Sequence, residues 1–377
     1  MPAAGGYHLP VSETTDTADY ASPLLSLPGA TPAHESDPLA LAVDGRGVAW
    51  HYGDPLAEQR RAAEAGVVID RSHRAIIRVG GADAAAFLNN LLSQKLDDAP
   101  LGFHAEALDL DAQGRVLHHA GISRTEAGFY LDLPQAQADS LLAYLRRMVF
   151  WSEVEIEETS LGLLTLLGRF DPAPDLGGLP LALSRPLGGR LDLAVERTDL
   201  PAAVGCLRER GLHPAGLMAW SAHRVHALEP ELGADLDAKA IPHEVPRWIG
   251  RGENPGAVHL VKGCYRGQET VARVENIGRS PRLLVRLHLD GSVPALPAPG
   301  TDITAGPQGR RVGRLGTVVH DHEWGPIALG LLKRSALTPG GPTLVAGDAA
   351  LSVDEDSLPS FEGDKAGRAA MDRLRGR

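Results

Sequence analysis

The sequence predicts an α+β protein in which helices lie on antiparallel sheets and an all-β unit follows toward the C-terminus. Two observations carry that expectation. Apolar runs at 105–110, 115–122 and 128–133 are separated by the turn clusters DAQG and RTEAG, a pattern that favours sequential antiparallel hairpins. Further on, RLLVRLHL at 282–289 alternates basic and apolar side chains, and short apolar runs follow at 312–319 and 327–332. That stretch reads as all-β, in the manner of a small barrel.

The elements follow in chain order. Residues 1–37 mix Pro, Ser, Thr and Asp with little periodicity and read as a mobile arm, with AWHYGDP at 49–55 docking nearby. Ile76, Ile77 and Val79 mark a strand and Gly80-Gly81 a turn; Phe87, Leu88, Leu91 and Leu92 form the apolar face of a helix. After the three hairpin strands, Leu141, Leu142, Leu145, Met148 and Val149 recur at helical spacing, and 154–158 alternates as a strand does. This order resembles split βαβ packing, with both helices on one face of a sheet. A second unit begins near Leu161, with strands at 163–167 and 191–195 and helices over 200–210 and 217–228. The chain thus divides into an arm (1–37), a paired α+β region (38–275), a β unit (276–353) and a flexible charged tail (354–377).

Composition narrows the function. At 377 residues the chain exceeds one ordinary core and should form two or three packed units. A formal charge of −11 argues against general binding to nucleic acid or an anionic membrane, since both are polyanions. Two cysteines, Cys206 and Cys264, are too few for a disulfide scaffold, which predicts a reducing compartment. Without a signal-peptide pattern or a long apolar run, the chain reads as cytoplasmic. His223 and His226 are three apart on a predicted helix, but no third ligand follows at a recognisable spacing, so no metal is expected.

The most distinctive segment is KGCYRGQE at 262–269, followed by TVARVENIGRSPR. Gly263 and Gly267 would permit positive φ or close backbone approach, and Gln268 and Glu269 supply donor and acceptor groups for a polar heterocycle. Cys264 lies between Lys262 and Arg266, cations that would favour a thiolate if the loop holds them near an accessible sulfur. The alternative is a small buried packing residue, and the sequence leaves both open. Between 262 and 286 six cations face only Glu269 and Glu275, a basic stretch in an acidic chain. It suits either an anionic ligand or a solvated strand face.

KGCYRGQE resembles the signature of the YgfZ family, whose usual form carries a different residue at Arg266. The likeness extends to RVHALEPELGAD at 224–235 and IPHE at 241–244, which resemble segments of the related glycine-cleavage T-proteins. What the resemblance implies is two ferredoxin-like units, the first discontinuous, around a central folate channel, with a C-terminal β-barrel. It implies tetrahydrofolate or a one-carbon derivative as cofactor, iron–sulfur client or assembly proteins as partners, and a role in iron–sulfur enzyme assembly, maintenance or repair. By the same resemblance Cys264 is the candidate reactive residue. Lys262, Gly263, Tyr265, Gly267, Gln268, Glu269, Arg224, Glu229 and Glu244 are candidate folate-binding residues.

This chain departs from the T-protein pattern at two places. His118 and His119 stand where the relatives carry an Asp pair, and His226 where a further carboxylate holds the pterin. Neutral imidazole does not replace an anion beside a developing iminium, so glycine-cleavage aminomethyl transfer is not expected. Another folate-dependent aminomethyl- or methyltransferase is the alternative, and a pure interaction protein a third reading.

Overall fold

The computed structural model describes residues 20–34, 37–42, 44–338 and 340–359. Two five-stranded sheets and a closed six-stranded barrel organise them. The first sheet combines Gly66–Asp70 with Leu161–Gly168, Leu183–Leu187, Arg190–Glu196 and His213–Ala215, so it is interrupted in sequence by the second. Leu161–Gly168 is buried along nearly its whole length because it lies between Gly66–Asp70 and Arg190–Glu196 with both faces covered. That explains its almost unbroken apolar run. Leu164, Leu166, Leu191 and Leu193 pack on helix Leu200–Glu209; Val67, Ile69 and Leu167 share the opposite face with Trp220 of helix Leu217–His226.

The second sheet runs in the spatial order His104–Leu110, Val116–Thr125, Gly128–Leu133, Ala75–Gly80, Glu155–Glu158, all pairs antiparallel. Helices Ala84–Leu91 and Gln135–Arg147 bury Phe87, Leu88, Leu141 and Leu145 on one face, the split βαβ arrangement with one additional edge strand. Its other face contributes Ile76 and Tyr130 to a cluster with Leu163, Leu183 and Ala194 of the first sheet, so the two sheets meet.

The barrel consists of Arg282–Leu289, Asp302–Ala305, Arg311–Asp321, Gly325–Lys333, Leu344–Ala346 and Ala349–Val353. Closure removes the free edges that six short strands would otherwise expose.

Three boundaries differ from the sequence expectation. Of the supposed arm, residues 1–19, 35 and 36 lie outside the described residues, but residues 20–34 pack on the body. Leu24 is buried, the Ser22 hydroxyl donates to Asp70 at 2.5 Å and the Tyr20 hydroxyl to Ser72 at 2.7 Å, contacts that no local periodicity announces. Of the supposed tail, 360–377 lie outside the described residues, whereas Asp354 pairs with Arg286 at 2.7 Å and Ser357 is buried. Helix Leu217–His226 ends two residues early because Leu228 adopts φ +52°, which a right-handed helix cannot contain.

Candidate functional site

The two sheets bring together charged side chains that sequence reading did not single out. Arg74 bonds Asp132 at 3.2 Å, Asp132 pairs with Arg185 at 2.5 Å, Arg185 with Asp192 at 2.8 Å, and Asp192 with Arg190 at 3.4 Å. The alternation continues through Arg190 to Glu229 at 2.5 Å, Glu229 to Arg247 at 3.0 Å, Arg247 to Glu106 at 3.6 Å and Glu106 to His119 at 3.5 Å. Burial pushes the carboxyls of Asp132, Asp192 and Glu229 upward, but the neighbouring guanidinium groups outweigh it and hold all three below their ordinary range. They are carboxylates at neutral pH. Ionised groups tolerate this burial because each has a partner of opposite sign.

A narrow cleft opens on this strip, its wall including Arg71, Arg74, His119, Trp220, Glu229 and Glu231. The Arg71 guanidinium lies 3.9 Å over the Trp220 ring, and Arg74 reaches Glu231 at 3.5 Å. Arg224 Nε is buried without a hydrogen-bond partner, and His119 Nε2 faces only the Glu106 carboxylate, at 3.5 Å. Apolar patterning hides these residues, but Asp192 inside RLDLAV and Arg185 inside LSRPL are the signal: charged residues at inward positions of otherwise apolar strands.

Of the residues predicted from sequence, Arg224 and Glu229 lie in the cleft wall. Arg224 is tied to Asp235 at 3.1 Å and Thr317 at 2.9 Å, and both Glu229 oxygens are taken by Arg190. Glu244 is not in that wall. It is buried at the barrel junction, where Arg282 donates to its two oxygens at 2.8 Å each, so its position in the chain near Glu229 does not put it near the cleft.

The 262–269 loop forms a separate structure, and none of its residues is in the cleft wall. Lys262 is buried with its Nζ on three backbone carbonyls: Asn89, Leu92 at 2.5 Å and Gln94 at 3.0 Å. Two of these carbonyls terminate helix Ala84–Leu91, where a cation also meets the negative end of the helix dipole. Burial pushes the Lys262 ammonium down to about 8. The three carbonyl acceptors favour the charged form, which therefore prevails at neutral pH.

Tyr265 is buried beside Trp248 and Val271, with Lys262 Nζ 4.9 Å from its ring centre. Gly267 caps helix Gln268–Asn276 at φ +81°, and a Cβ there would come within 2.6 Å of the Asp111 carbonyl. Gly263 meets neither condition: its φ is not positive and a Cβ would have open space. The Gln268 side chain folds back on the carbonyls of Lys262 and Gly263, both at 3.4 Å, and Glu269 is exposed on the first helical turn.

Cys264 is exposed, which removes the buried-packing alternative. Its two flanking cations are engaged elsewhere, Lys262 by carbonyls and Arg266 by Asp109 at 2.6 Å, so the thiolate activation that the spacing suggests loses its counter-ions. Two further cations of the basic stretch are tied, Arg282 to Asp237 at 2.5 Å and Arg286 to Asp354, whereas Arg273 and Arg279 are exposed. Among the described residues no group of three or more His, Cys, Asp or Glu side chains is arranged to hold a metal ion, and no helix is long and apolar enough to cross a membrane.

Comparison with known proteins places this architecture. Residues 282–359 match the family model of the CAF17 C-terminal beta-barrel domain. The "tRNA-modifying protein YgfZ" of Yersinia pestis (strain Pestoides F) is 23% identical over 345 residues, 81% of this chain and 94% of the relative. The chain is YgfZ-like. A chloroplastic "putative transferase" of Arabidopsis thaliana is 25% identical over 319 residues, 77% of this chain and 70% of that protein. The crystal structure of the glycine cleavage system aminomethyltransferase T from Bartonella henselae superposes with a TM-score of 0.70 at 19% identity, covering 90% of this YgfZ-like chain and 96% of that one. The fold is therefore T-protein-like.

Proposed function

We propose that this chain binds tetrahydrofolate or a one-carbon derivative in the cleft between its two sheets. In this reading it supports the assembly, maintenance or repair of iron–sulfur enzymes in the cytoplasm, with the Cys264 thiol acting on a client or assembly protein. The observation that carries the folate step is the cleft itself, set on a T-protein-like backbone with Arg71, Arg74, His119 and Trp220 in its wall. When bound, a reduced folate supplies or accepts a one-carbon unit. His119 and Arg224 of the wall would meet the polar edge of the heterocycle, and Arg71 and Arg74 bring positive charge to the same wall. Glu229 acts through Arg190 and Arg247, holding them in place. An exposed sulfur outside the cleft suits a contact with another protein better than one with the folate.

Calorimetric titration of the full chain with tetrahydrofolate and 5-formyltetrahydrofolate under reducing conditions tests the first step. Saturable binding that Cys264→Ser preserves and His119→Ala weakens about tenfold is expected, the size of one lost polar contact. Absence of binding by folded protein removes the folate step and leaves an interaction protein. For the thiol step, Cys264→Ser should fail to restore iron–sulfur enzyme activity in cells lacking this protein, whereas full complementation would exclude it. The folate-dependent transferase reading draws on the relative named a putative transferase; release of a one-carbon unit from an amine substrate in the presence of folate would favour it.

A further inference from the structure

A second constellation lies on the second sheet, and the proposed folate and thiol steps do not use it. Asp109 on strand His104–Leu110 is 1% exposed and stands opposite His118 on strand Val116–Thr125, whose Nδ1 is 2.8 Å from its Oδ2. On the far side of the imidazole, His118 Nε2 is 2.8 Å from the hydroxyl of Ser140, an exposed residue on helix Gln135–Arg147. Arg266 Nη2 donates to the other Asp109 oxygen at 2.6 Å. The Arg266 guanidinium lies 4.3 Å over the ring of Tyr144, one helical turn beyond Ser140, and its Nε has no hydrogen-bond partner. His118 and Arg266 thus meet on one carboxylate.

We propose that Ser140, His118 and Asp109 form a nucleophile, base and orienting carboxylate that accept a short acyl group from an activated ester or thioester. Such a triad is recognised by geometry and roles, and hydrogen bonds of this length on both sides of the imidazole are what it requires. With Nδ1–H donated to Asp109, Nε2 is the acceptor for the Ser140 hydroxyl proton; the Gln137 carbonyl, 3.1 Å from Ser140 Oγ, competes for that proton in the resting state.

In the reaction Ser140 Oγ forms a bond to the carbonyl carbon, its proton passes to His118 Nε2, and the carbonyl π pair moves onto oxygen. Collapse breaks the bond to the alkoxide or thiolate leaving group, which takes the proton from His118. Water then attacks the acyl-serine, with His118 accepting the water proton and returning one to Ser140. Gln137 and the exposed Asp139 beside Ser140 give a polar surround, which suits a short acyl group over a long apolar chain.

The test is labelling of the full chain with a fluorophosphonate probe, followed by peptide mass analysis, alongside p-nitrophenyl acetate turnover. One adduct per chain on Ser140 is expected, absent in Ser140→Ala and formed about 100-fold more slowly in His118→Gln, the scale of a lost general base. No adduct on Ser140 in folded protein overturns the proposal, as does a His118→Gln rate equal to the parent's. Should His118→Gln misfold, the exposed Ser140→Ala still decides: turnover unchanged in that variant assigns the hydrolysis to other side chains and overturns the triad.

Discussion

Lys262 joins the signature loop to a helix some 170 residues earlier in the chain, and its three carbonyl contacts explain why a lysine stands there. Lys262→Met keeps the aliphatic stem but leaves those buried carbonyls without a donor, a loss of about 2–4 kcal/mol. Urea unfolding followed by circular dichroism should show that loss, while Cys264→Ser, at an exposed sulfur, should shift stability by less than about 0.5 kcal/mol. Equal effects would contradict a structural role confined to the lysine. The sequence made the pair conspicuous through spacing, but spacing carries no information about which carbonyls a long side chain reaches. Adjacent residues of one motif can therefore have unrelated tasks.

Helix Gln268–Asn276 and the hairpin of His104–Leu110 and Val116–Thr125 approach each other through glycine. Gly267 at φ +81° faces Gly114, whose Cα would lie 2.9 Å from a Cβ at 267, so the contact has no room for a side chain on the helix cap. Gly267→Ala combines left-handed strain with that collision and should cost about 2–3 kcal/mol; Gly263→Ala, with open space and no positive φ, should be neutral within about 0.5 kcal/mol. Thermal melting of the two variants side by side checks the ordering, and a larger loss at 263 would contradict it. Most elements were legible because their signals are local: alternation gave Arg282–Leu289 and turn clusters separated the three hairpin strands. The packed segment at 20–34 was not, since Ser22 and Tyr20 are held by Asp70 and Ser72 rather than by any repeat of their own. The candidate cleft was legible at Arg224 and Glu229, and at His119 only as a departure from the related pattern. Its other charges are alternating partners across sheets, a property of assembled strands.

At the scale of the molecule, the barrel is joined to the paired sheets by buried polar contacts as well as apolar ones. Asp235, fully buried, accepts from the Thr317 backbone N–H of the barrel at 2.6 Å and from Arg224 at 3.1 Å, while Arg224 donates to the Thr317 hydroxyl at 2.9 Å. One carboxylate thus neutralises a buried guanidinium and fixes the strand that packs beside it. Asp235→Asn preserves shape but leaves buried Arg224 with only the longer Glu231 contact, 3.7 Å, as an ion pair and weakens the hold on Thr317, which should cost about 3 kcal/mol. Asp237 makes the useful contrast: it also bonds a barrel residue, Arg282, but is partly exposed, and Arg282 keeps Glu244 when Asp237 is lost. Asp237→Asn should therefore cost under about 1 kcal/mol. Denaturant unfolding of both variants, followed by tryptophan fluorescence, separates the cases. A loss confined to Asp235→Asn locates the junction's stability in the Arg224–Asp235–Thr317 contact, whereas similar losses would spread it over the whole polar seam. Because Arg224 also lies in the cleft wall, weakening this contact should reduce ligand affinity together with stability, coupling the barrel to the cleft that it does not itself line.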